Sequence, residues 1–293
     1  MDRKRIILAG GTGSRLFPLT SSISKQLLPV FDKPMIFYPL TTLMIAGIKE
    51  ILLITAPKDQ ENFKKLLGHG ERWGIEIQYA VQEAPDGIAQ AVIIGEQFIG
   101  KGDVALILGD NIFYSQGLGE MLSEKSIKKQ GATIFAHFVK DPKAYGVVSI
   151  DERGQPKEII EKPKNPLSNW AVTGLYFYDN QVIEIAKSLK PSARGELEIT
   201  DVNLEYLAND ALSVKILSRG TAWLDAGQPK HLLEAANFVK IVEERQGLKI
   251  ACPEEIAFRM GFIGAEHLLK QIRGMPRSSY RDYLKEFISR ETK

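Results

Sequence analysis

Short apolar runs alternate along the first third of the chain with longer stretches whose apolar residues recur every three or four positions. Residues 5–9, 50–56, 76–81 and 103–108 have strand length and strand composition, and each is closed by glycine, proline or polar residues. Between them, residues 35–47, 58–67 and 88–98 carry the helical pattern. Strand and helix in alternation predict βαβ steps, and therefore a Rossmann-like α/β fold: a mostly parallel sheet with helices on both faces.

The pattern then changes. Residues 132–139, 147–150 and 171–178 are strand-like runs separated by short turns, which predicts a mixed or antiparallel extension capping one side of a cleft. From His231 onward, Leu232, Leu233, Ala236, Val239 and Val242 mark an amphipathic helix, and the chain beyond Pro253 reads as further helices. The expected organisation is a core over residues 1–240, divided near residue 130 with its second part ending near 230, and a helical C-terminal segment over 241–293.

In an open parallel sheet, ligands bind beyond the carboxyl ends of the strands. Three polar or glycine-rich segments fall there: LAGGTGSRL (8–16), QEAPDG (82–87) and GDN (109–111). In the first, Gly10, Gly11 and Gly13 let the backbone approach a ligand closely, exposed N–H groups around Thr12 form a nest for phosphate oxygens, and Arg15 adds fixed positive charge. Leu16 stands where a dinucleotide fingerprint needs its third glycine, and the Gly-Lys-Ser/Thr of a P-loop is absent, so the loop is neither.

Asp110 follows the apolar strand 104–108, and Asp225 lies in AWLDAG; two aspartates in similar contexts suggest a shared Mg²⁺. Lys25, before Leu27-Leu28-Pro29, and Lys162, between Glu161 and Pro163, read as held rather than freely solvated cations. Tyr145, Trp170, Tyr176 and Trp223, with Glu161 and GELEITD (195–201), suit a sugar, whose ring has apolar faces and polar edges. Tyr178 reads as core packing.

Composition narrows the picture further. With 293 residues and 44% hydrophobic content the chain can build a full core without staples, and a net charge of +2 provides no basic field for nucleic acid. The lone Cys252 excludes an internal disulfide and reads as a buried small hydrophobe. The four histidines share no metal-binding spacing, and no apolar run reaches membrane-span length. The N-terminal run 1–5 enters a strand with no signal-peptide core, so a soluble, cytoplasmic protein with no membrane partner is expected.

Taken in order, LAGGTGSRL, SKQLLPVFDKPMI, QEAPDGIAQA, LGDN, YGVV, EKP, AVTGLYFYD, RGELEITDVN and WLDAG closely resemble the sugar-1-phosphate nucleotidylyltransferases, over about residues 5–257. The resemblance is nearest to the branch that condenses dTTP with glucose 1-phosphate, and it implies Mg²⁺ as cofactor, dTDP-glucose and pyrophosphate as products, and direct attack of the sugar phosphate on the α-phosphorus. Position by position, it implies that Leu8, Gly10, Gly11, Thr12, Gly13 and Arg15 form the triphosphate loop with Lys25 nearby. Gln26, Gln82, Pro85 and Gly87 would contact the nucleoside. Asn111, Tyr145, Gly146, Glu161, Lys162, Val172 and Trp223 would form the sugar-phosphate pocket, and Asp110 and Asp225 would hold the metal, with Asp110 also near the nucleotide. Of the catalytic cations Arg15, Lys25 and Lys162, Lys162 would face the attacking phosphate and Arg15 the departing end of the triphosphate.

The resemblance also implies a homotetramer, a separate effector site for a downstream dTDP-sugar, and a role in a dTDP-rhamnose or polysaccharide pathway. UTP or another hexose 1-phosphate as substrate is the nearest alternative. A catalytically silent nucleotide-sugar-binding paralogue would be expected to lack some of Arg15, Lys25, Asp110, Lys162 and Asp225, and all five are present. One departure stands out: residues 224–232 read LDAGQPKHL where the nearest relatives read LDTGTHDSL, which keeps Asp225 but alters the polarity beside it.

Overall fold

The computed structural model describes residues 4–123 and 127–292; residues 1–3, part of the N-terminal run read above, lie outside them. Strand β1 (Lys4–Ala9) leads, through a hairpin of β2 (Pro29–Val30) and β3 (Lys33–Pro34), into α1 (Phe37–Ile45) and β4 (Glu50–Thr55). Then come α2 (Gln60–Leu67), β5 (Glu76–Val81), α3 (Gln90–Ile94), α4 (Glu96–Ile99) and β6 (Val104–Leu108). Strands β5, β4, β1 and β6 pair in that order, all parallel, as the alternating pattern predicts.

The chain continues through β7 (Asn111–Tyr114), α5 (Leu118–Leu122), β8 (Ala132–Phe138), β9 (Gly146–Ile150), β10 (Pro156–Glu161) and β11 (Trp170–Tyr178). Helices α6 (Val182–Ser188) and α7 (Ile199–Ala208) precede β12 (Leu212–Ile216) and β13 (Ala222–Asp225). Strand β11 lies antiparallel to β6 through Leu175 to Tyr178 and touches β9 at Ala171, while β8 pairs along its other edge. The sheet therefore forks at Thr173 and Gly174, parallel on one side of β6 and mixed on the other. The remaining helices are α8 (Pro229–Gln246), α9 (Pro253–Arg259), α10 (Ala265–Gly274) and α11 (Ser279–Glu291).

Alternate residues of β1 bury on opposite faces: Ile7 and Ala9 in a cluster with α1, α2 and α9 to α11, Ile6 and Leu8 in one with α3, α6 and α7. Burial on both faces is why these strands read as unbroken apolar runs. Each large aliphatic side chain so buried contributes about 1.5–3 kcal/mol. The boundary expected at residue 240 falls inside α8, and α9 to α11 share their apolar cluster with the sheet. Trp73 is fully buried there, and its Nε1 donates to Glu254 Oε1 at 3.0 Å, fixing α9 to the turn after α2. Cys252 is buried, as expected, with its Sγ 3.1 Å from the Tyr280 hydroxyl.

Two helices differ from the pattern reading. The stretch 88–98 breaks at Gly95, because the chain passes so close to β1 that a Cβ there would lie 2.6 Å from Ile6 Cδ1. Helix α8 begins at Pro229, and Leu233 points away from the body of the protein at 63% exposure, while Ala235, Val239 and Glu243 face inward. At 100° per residue Leu233 lies opposite Ala235, so its apolar character does not track its face. Among the described residues, no helix is long and apolar enough to cross a membrane.

Candidate active site

A cleft of about 550 Å³ opens beyond the carboxyl ends of β1, β5 and β6 and is closed opposite by β9 to β11, α7 and the β7–β13 ribbon. Of the residues singled out in the sequence, Leu8, Gly11, Thr12, Gly13, Arg15, Lys25, Gln82, Pro85, Gly87 and Asp110 line its near side. Asn111, Tyr145, Gly146, Glu161, Lys162, Val172, Trp223 and Asp225 line the far side. Gly10 and Gln26 lie just behind this surface. Gly10 backs onto the Gln82 side chain, and Gln26 is buried beneath Gly109 with its Oε1 accepting from Ser24 Oγ at 2.7 Å.

The glycine loop is shaped by its own sequence. Gly13 takes a left-handed φ of 69°, and the Thr20 hydroxyl donates to its carbonyl at 2.8 Å, so a side chain there would meet both strain and Thr20. The Leu16 N–H donates to the same carbonyl at 2.9 Å, opening a single turn over Ser14–Leu16 that sets Arg15 toward the cleft. On the next loop, Gly87 at φ 110° presses against Leu197, and Leu197 N–H donates to Asp86 O at 2.7 Å. The near and far walls are thus zipped together by backbone.

The two aspartates meet through a ribbon that sequence reading missed. Strands β7 and β13 are antiparallel with Asn111 opposite Asp225, and Ala226 N–H donates to Asp110 O at 3.0 Å. This brings Asp110 Oδ2 and Asp225 Oδ1 to 3.4 and 3.0 Å from the point where a Cβ on Gly227 would stand, with Arg15 Nη2 3.0 Å from it. Lys25 forms an ion pair with Asp110 Oδ2. Burial pushes both carboxyls up. For Asp110 the Lys25 ammonium and the hydrogen bonds from Lys25 and Asn111 outweigh it and leave the group below the ordinary aspartate range. Asp225, facing the Asp110 charge as well, stays raised despite Lys25 and Arg15.

Asn111 holds this corner together. Its Oδ1 accepts from Trp223 Nε1 at 2.6 Å and from Gly174 N–H at 3.0 Å, and its Nδ2 donates to Asp110 Oδ1 at 3.1 Å. It wedges into the fork of the sheet, where a Cβ on Gly174 would lie 2.7 Å from Oδ1. Trp223 packs its ring on Tyr145, centroids 5.1 Å apart. On the far wall, Glu161 Oε2 accepts from Thr200 Oγ1 at 2.6 Å over Gly146, whose missing side chain leaves them room. Lys162 has the left-handed φ of 44°, held by its N–H donating to Tyr145 O at 3.0 Å, and its ammonium is 3.3 Å from Glu161. A non-glycine residue kept in that region is strained, and such strain gathers at functional positions.

Residues 4–241 match the family model described as nucleotidyl transferase. The chain belongs to the nucleotidyl transferase family. A glucose-1-phosphate thymidylyltransferase of Neisseria meningitidis serogroup A is 56% identical over 287 residues, covering 98% of this chain and all of that one. One of Mycobacterium tuberculosis is 57% identical over 286 residues, covering 97% and 99%. A Bacillus anthracis structure named for the same activity, with sucrose bound, superposes with a TM-score of 0.75 at 42% identity, covering 80% of this chain and 94% of that one. A UDP-glucose pyrophosphorylase with UDP-glucose gives a TM-score of 0.71 at 26% identity, covering 83% and 100%.

For a nucleotidyl transferase, the donor set at Gly227 fits a magnesium ion. Two hard carboxylates converge on space that only a glycine leaves open, and among the described residues no third His, Cys, Asp or Glu joins them. Magnesium is commonly held in this way, by one or two carboxylates together with substrate phosphates and water. This cleft also contains side chains to which sequence reading assigned no individual role. Arg194 donates to both oxygens of Glu198 at 2.7 Å and lies 3.3 Å from Glu161, and Thr200 and Asn203 line the same wall. Thr200 belongs to GELEITD, the segment read as suiting a sugar, whereas Arg194 and Asn203 entered only through the resemblance motif RGELEITDVN.

Proposed function

We propose that this enzyme transfers a thymidylyl group from dTTP to α-D-glucose 1-phosphate, giving dTDP-glucose and pyrophosphate. The observation that carries the reading is the meeting of Arg15, Lys25, Asp110 and Asp225 between the glycine loop and the Glu161–Lys162 wall. The name borne by relatives that are 56% and 57% identical along their whole length supports the choice of substrates.

Both reactants are anions, so the chain's task is to hold two repelling groups in line and to stabilise the charge that gathers on the departing pyrophosphate. The glycine-loop N–H groups and Arg15 take the triphosphate. Lys162, fixed at its backbone, takes the phosphate of the sugar and aims its oxygen at the α-phosphorus. The new P–O bond forms as the α–β bridging oxygen leaves with the electron pair. Glu161, set by Thr200, accepts from sugar hydroxyls, and Trp223 and Tyr145 offer apolar faces to the ring. Asp110 and Asp225 would hold Mg²⁺, which when bound supplies charge neutralisation at the phosphoryl oxygens.

UTP is the second reading, because a UDP-glucose pyrophosphorylase shares the fold at 26% identity. The two nucleotides differ at one methyl and one hydroxyl, and a methyl-sized contact discriminates by only about 1–3 kcal/mol. A pyrophosphate-release assay with dTTP, UTP, dCTP and dATP against glucose, galactose and mannose 1-phosphates tests the proposal. Highest kcat/KM is expected for dTTP with glucose 1-phosphate, abolished by EDTA. Undiminished turnover in excess EDTA, or release that does not need a hexose phosphate, would overturn it.

A further inference from the structure

We propose that Asp32, Lys33, Glu243 and Lys249 form a rivet that sets the position of Lys25 against the carboxylates of the cleft. This rests on the reading that Lys25 serves the triphosphate of dTTP. The four side chains close a ring in which each ammonium meets both carboxylates. Lys33 Nζ lies 2.8 Å from Glu243 Oε1 and also pairs with Asp32 Oδ1. Lys249 Nζ lies 2.7 Å from Glu243 Oε2 and also pairs with Asp32 Oδ2. Ile250 N–H donates to Glu243 Oε1 at 2.8 Å, which ties the stretch leading to α9 into the same ring. The Lys33 and Glu243 side chains are only 2% and 4% exposed, so these are buried charges held by one another. Burial pushes the Asp32 carboxyl up, but the Lys33 and Lys249 ammonium groups outweigh it and leave the group below the ordinary aspartate range.

The ring joins the far ends of two arms whose near ends meet in the cleft. One arm is the β2–β3 hairpin. At its base Ile36 N–H donates to Gln26 O at 2.8 Å and Met35 N–H donates to Leu28 O at 2.9 Å, so the hairpin and the turn Lys25–Leu27 form one piece, from which Lys25 reaches Asp110. The other arm is α8, which starts at Pro229 just past Asp225 and reaches Glu243 about 20 Å further along its axis. Between the arms lies an apolar cluster that includes Val30, Met35, Ala235 and Val239. Apolar contact is non-directional, so it draws the arms together without fixing how one slides on the other. Charges paired at hydrogen-bond distance do fix it. A buried ion network adds little net stability over an apolar replacement, and setting register is the role for which such groups are best attested. An active-site group must be held within about 0.5 Å of its productive place, and the hairpin carries any slide at its tip to Lys25.

None of the four side chains lines the cleft, so they are positioning residues, and the deciding readout is nucleotide affinity rather than activity. Lys33→Met combined with Glu243→Gln removes one charge of each sign, keeps an acceptor for Ile250 N–H and leaves the Asp32–Lys249 pair. This double variant should fold by circular dichroism. Its dTTP Kd by calorimetry and its KM for dTTP should rise at least about tenfold, while KM for glucose 1-phosphate stays within about threefold. A merely structural role would lower the amount of folded enzyme, and so kcat, without separating the two KM values. In a Lys25→Met background the same double substitution should change the dTTP Kd less than about threefold, because the group being positioned is gone. Glu244→Gln, on the exposed side of α8, is the control. If the first double variant does not fold, Asp32→Asn combined with Lys249→Met opens the ring at its more exposed half and should raise the dTTP Kd at least about threefold. An unchanged dTTP Kd in a folded double variant, an equal rise in the Lys25→Met background, or failure of both double variants to fold overturns the proposal. Absence of any dTTP turnover by the wild type would instead remove the functional reading beneath it.

Discussion

Adding one methyl group at Gly227 should remove activity while sparing the fold. Gly227 does not need a left-handed backbone, so alanine fits its conformation. The new Cβ would stand 3.0 Å from Asp225 Oδ1, 3.0 Å from Arg15 Nη2 and 3.4 Å from Asp110 Oδ2. These are ends of side chains that can give by a few tenths of an ångström, so the stability cost should stay at the low end of overpacking, about 1 kcal/mol. In a chain of this size that lowers Tm by roughly 2–4 °C. The Gly227 N–H that donates to Asp225 Oδ1 at 3.0 Å survives in alanine, so the variant tests space and not a lost hydrogen bond.

The effect on catalysis should be far larger. Magnesium demands oxygens at about 2.0–2.1 Å in near-octahedral array, and a methyl group within 3.4 Å of both carboxylate oxygens takes that volume. Losing one preorganised electrostatic contact costs about 2.7–4 kcal/mol, so kcat/KM in Gly227→Ala should fall at least about 100-fold. The Mg²⁺ concentration for half-maximal pyrophosphate release should rise. Gly264→Ala, at a position with nothing within 4 Å of the added Cβ and no left-handed φ, serves as the neutral control. Near-normal kcat/KM with unaltered Mg²⁺ dependence in a folded Gly227→Ala would refute the assignment of Asp110 and Asp225 as ligands.

Three other outcomes follow from the same geometry. Lys162→Ala should lower kcat/KM more than about 100-fold, and Lys162→Gly should be equally inactive yet melt higher, because glycine relieves the φ of 44°; activity within tenfold of wild type would exclude the lysine from the reaction. Lys25→Met should tighten Mn²⁺ binding to nucleotide-free enzyme, measured by electron paramagnetic resonance, since the ammonium that pairs with Asp110 is gone; weaker binding would show that Lys25 does not compete with the metal. Trp73→Ala, at a site with no solvent exposure, should cost about 3–5 kcal/mol by chemical denaturation, and a loss under 1 kcal/mol would mean that the C-terminal helices do not depend on this staple.

The half of the cleft built by the parallel sheet was legible because everything needed lies close together in sequence. Strands β1, β4, β5 and β6 begin and end within about one residue of their apolar runs, and the glycine loop, QEAPDG and GDN follow them directly. The opposite wall was not legible in the same way. Strands β7 and β13 are four residues each, too short for a period to show, and only their pairing brings Asp110 to Asp225 across more than a hundred residues. Strand β10, PKEIIE, is too polar to show as a strand run, and α7 was visible only as part of a motif, since GELEITD has too many carboxylates to look like a buried helix start.

Asn111 shows where residue-by-residue transfer of roles runs short. Its type and position suggest a polar contact for the sugar, yet its side-chain oxygen already accepts two hydrogen bonds, from Trp223 and Gly174, and its nitrogen donates to Asp110. Those bonds span the end of β6 at Asp110, the fork of the sheet and the aromatic wall. An amide is the side chain that can serve all three, because it carries an acceptor with two lone pairs and a donor on one rigid plane. Aspartate in its place would lose the donor to Asp110 and set two carboxylates together; leucine would leave Trp223 Nε1 and Gly174 N–H unpaired in a buried corner. The asparagine after Asp110 is therefore required by the joint between two halves of the sheet, whatever the cleft holds beside it.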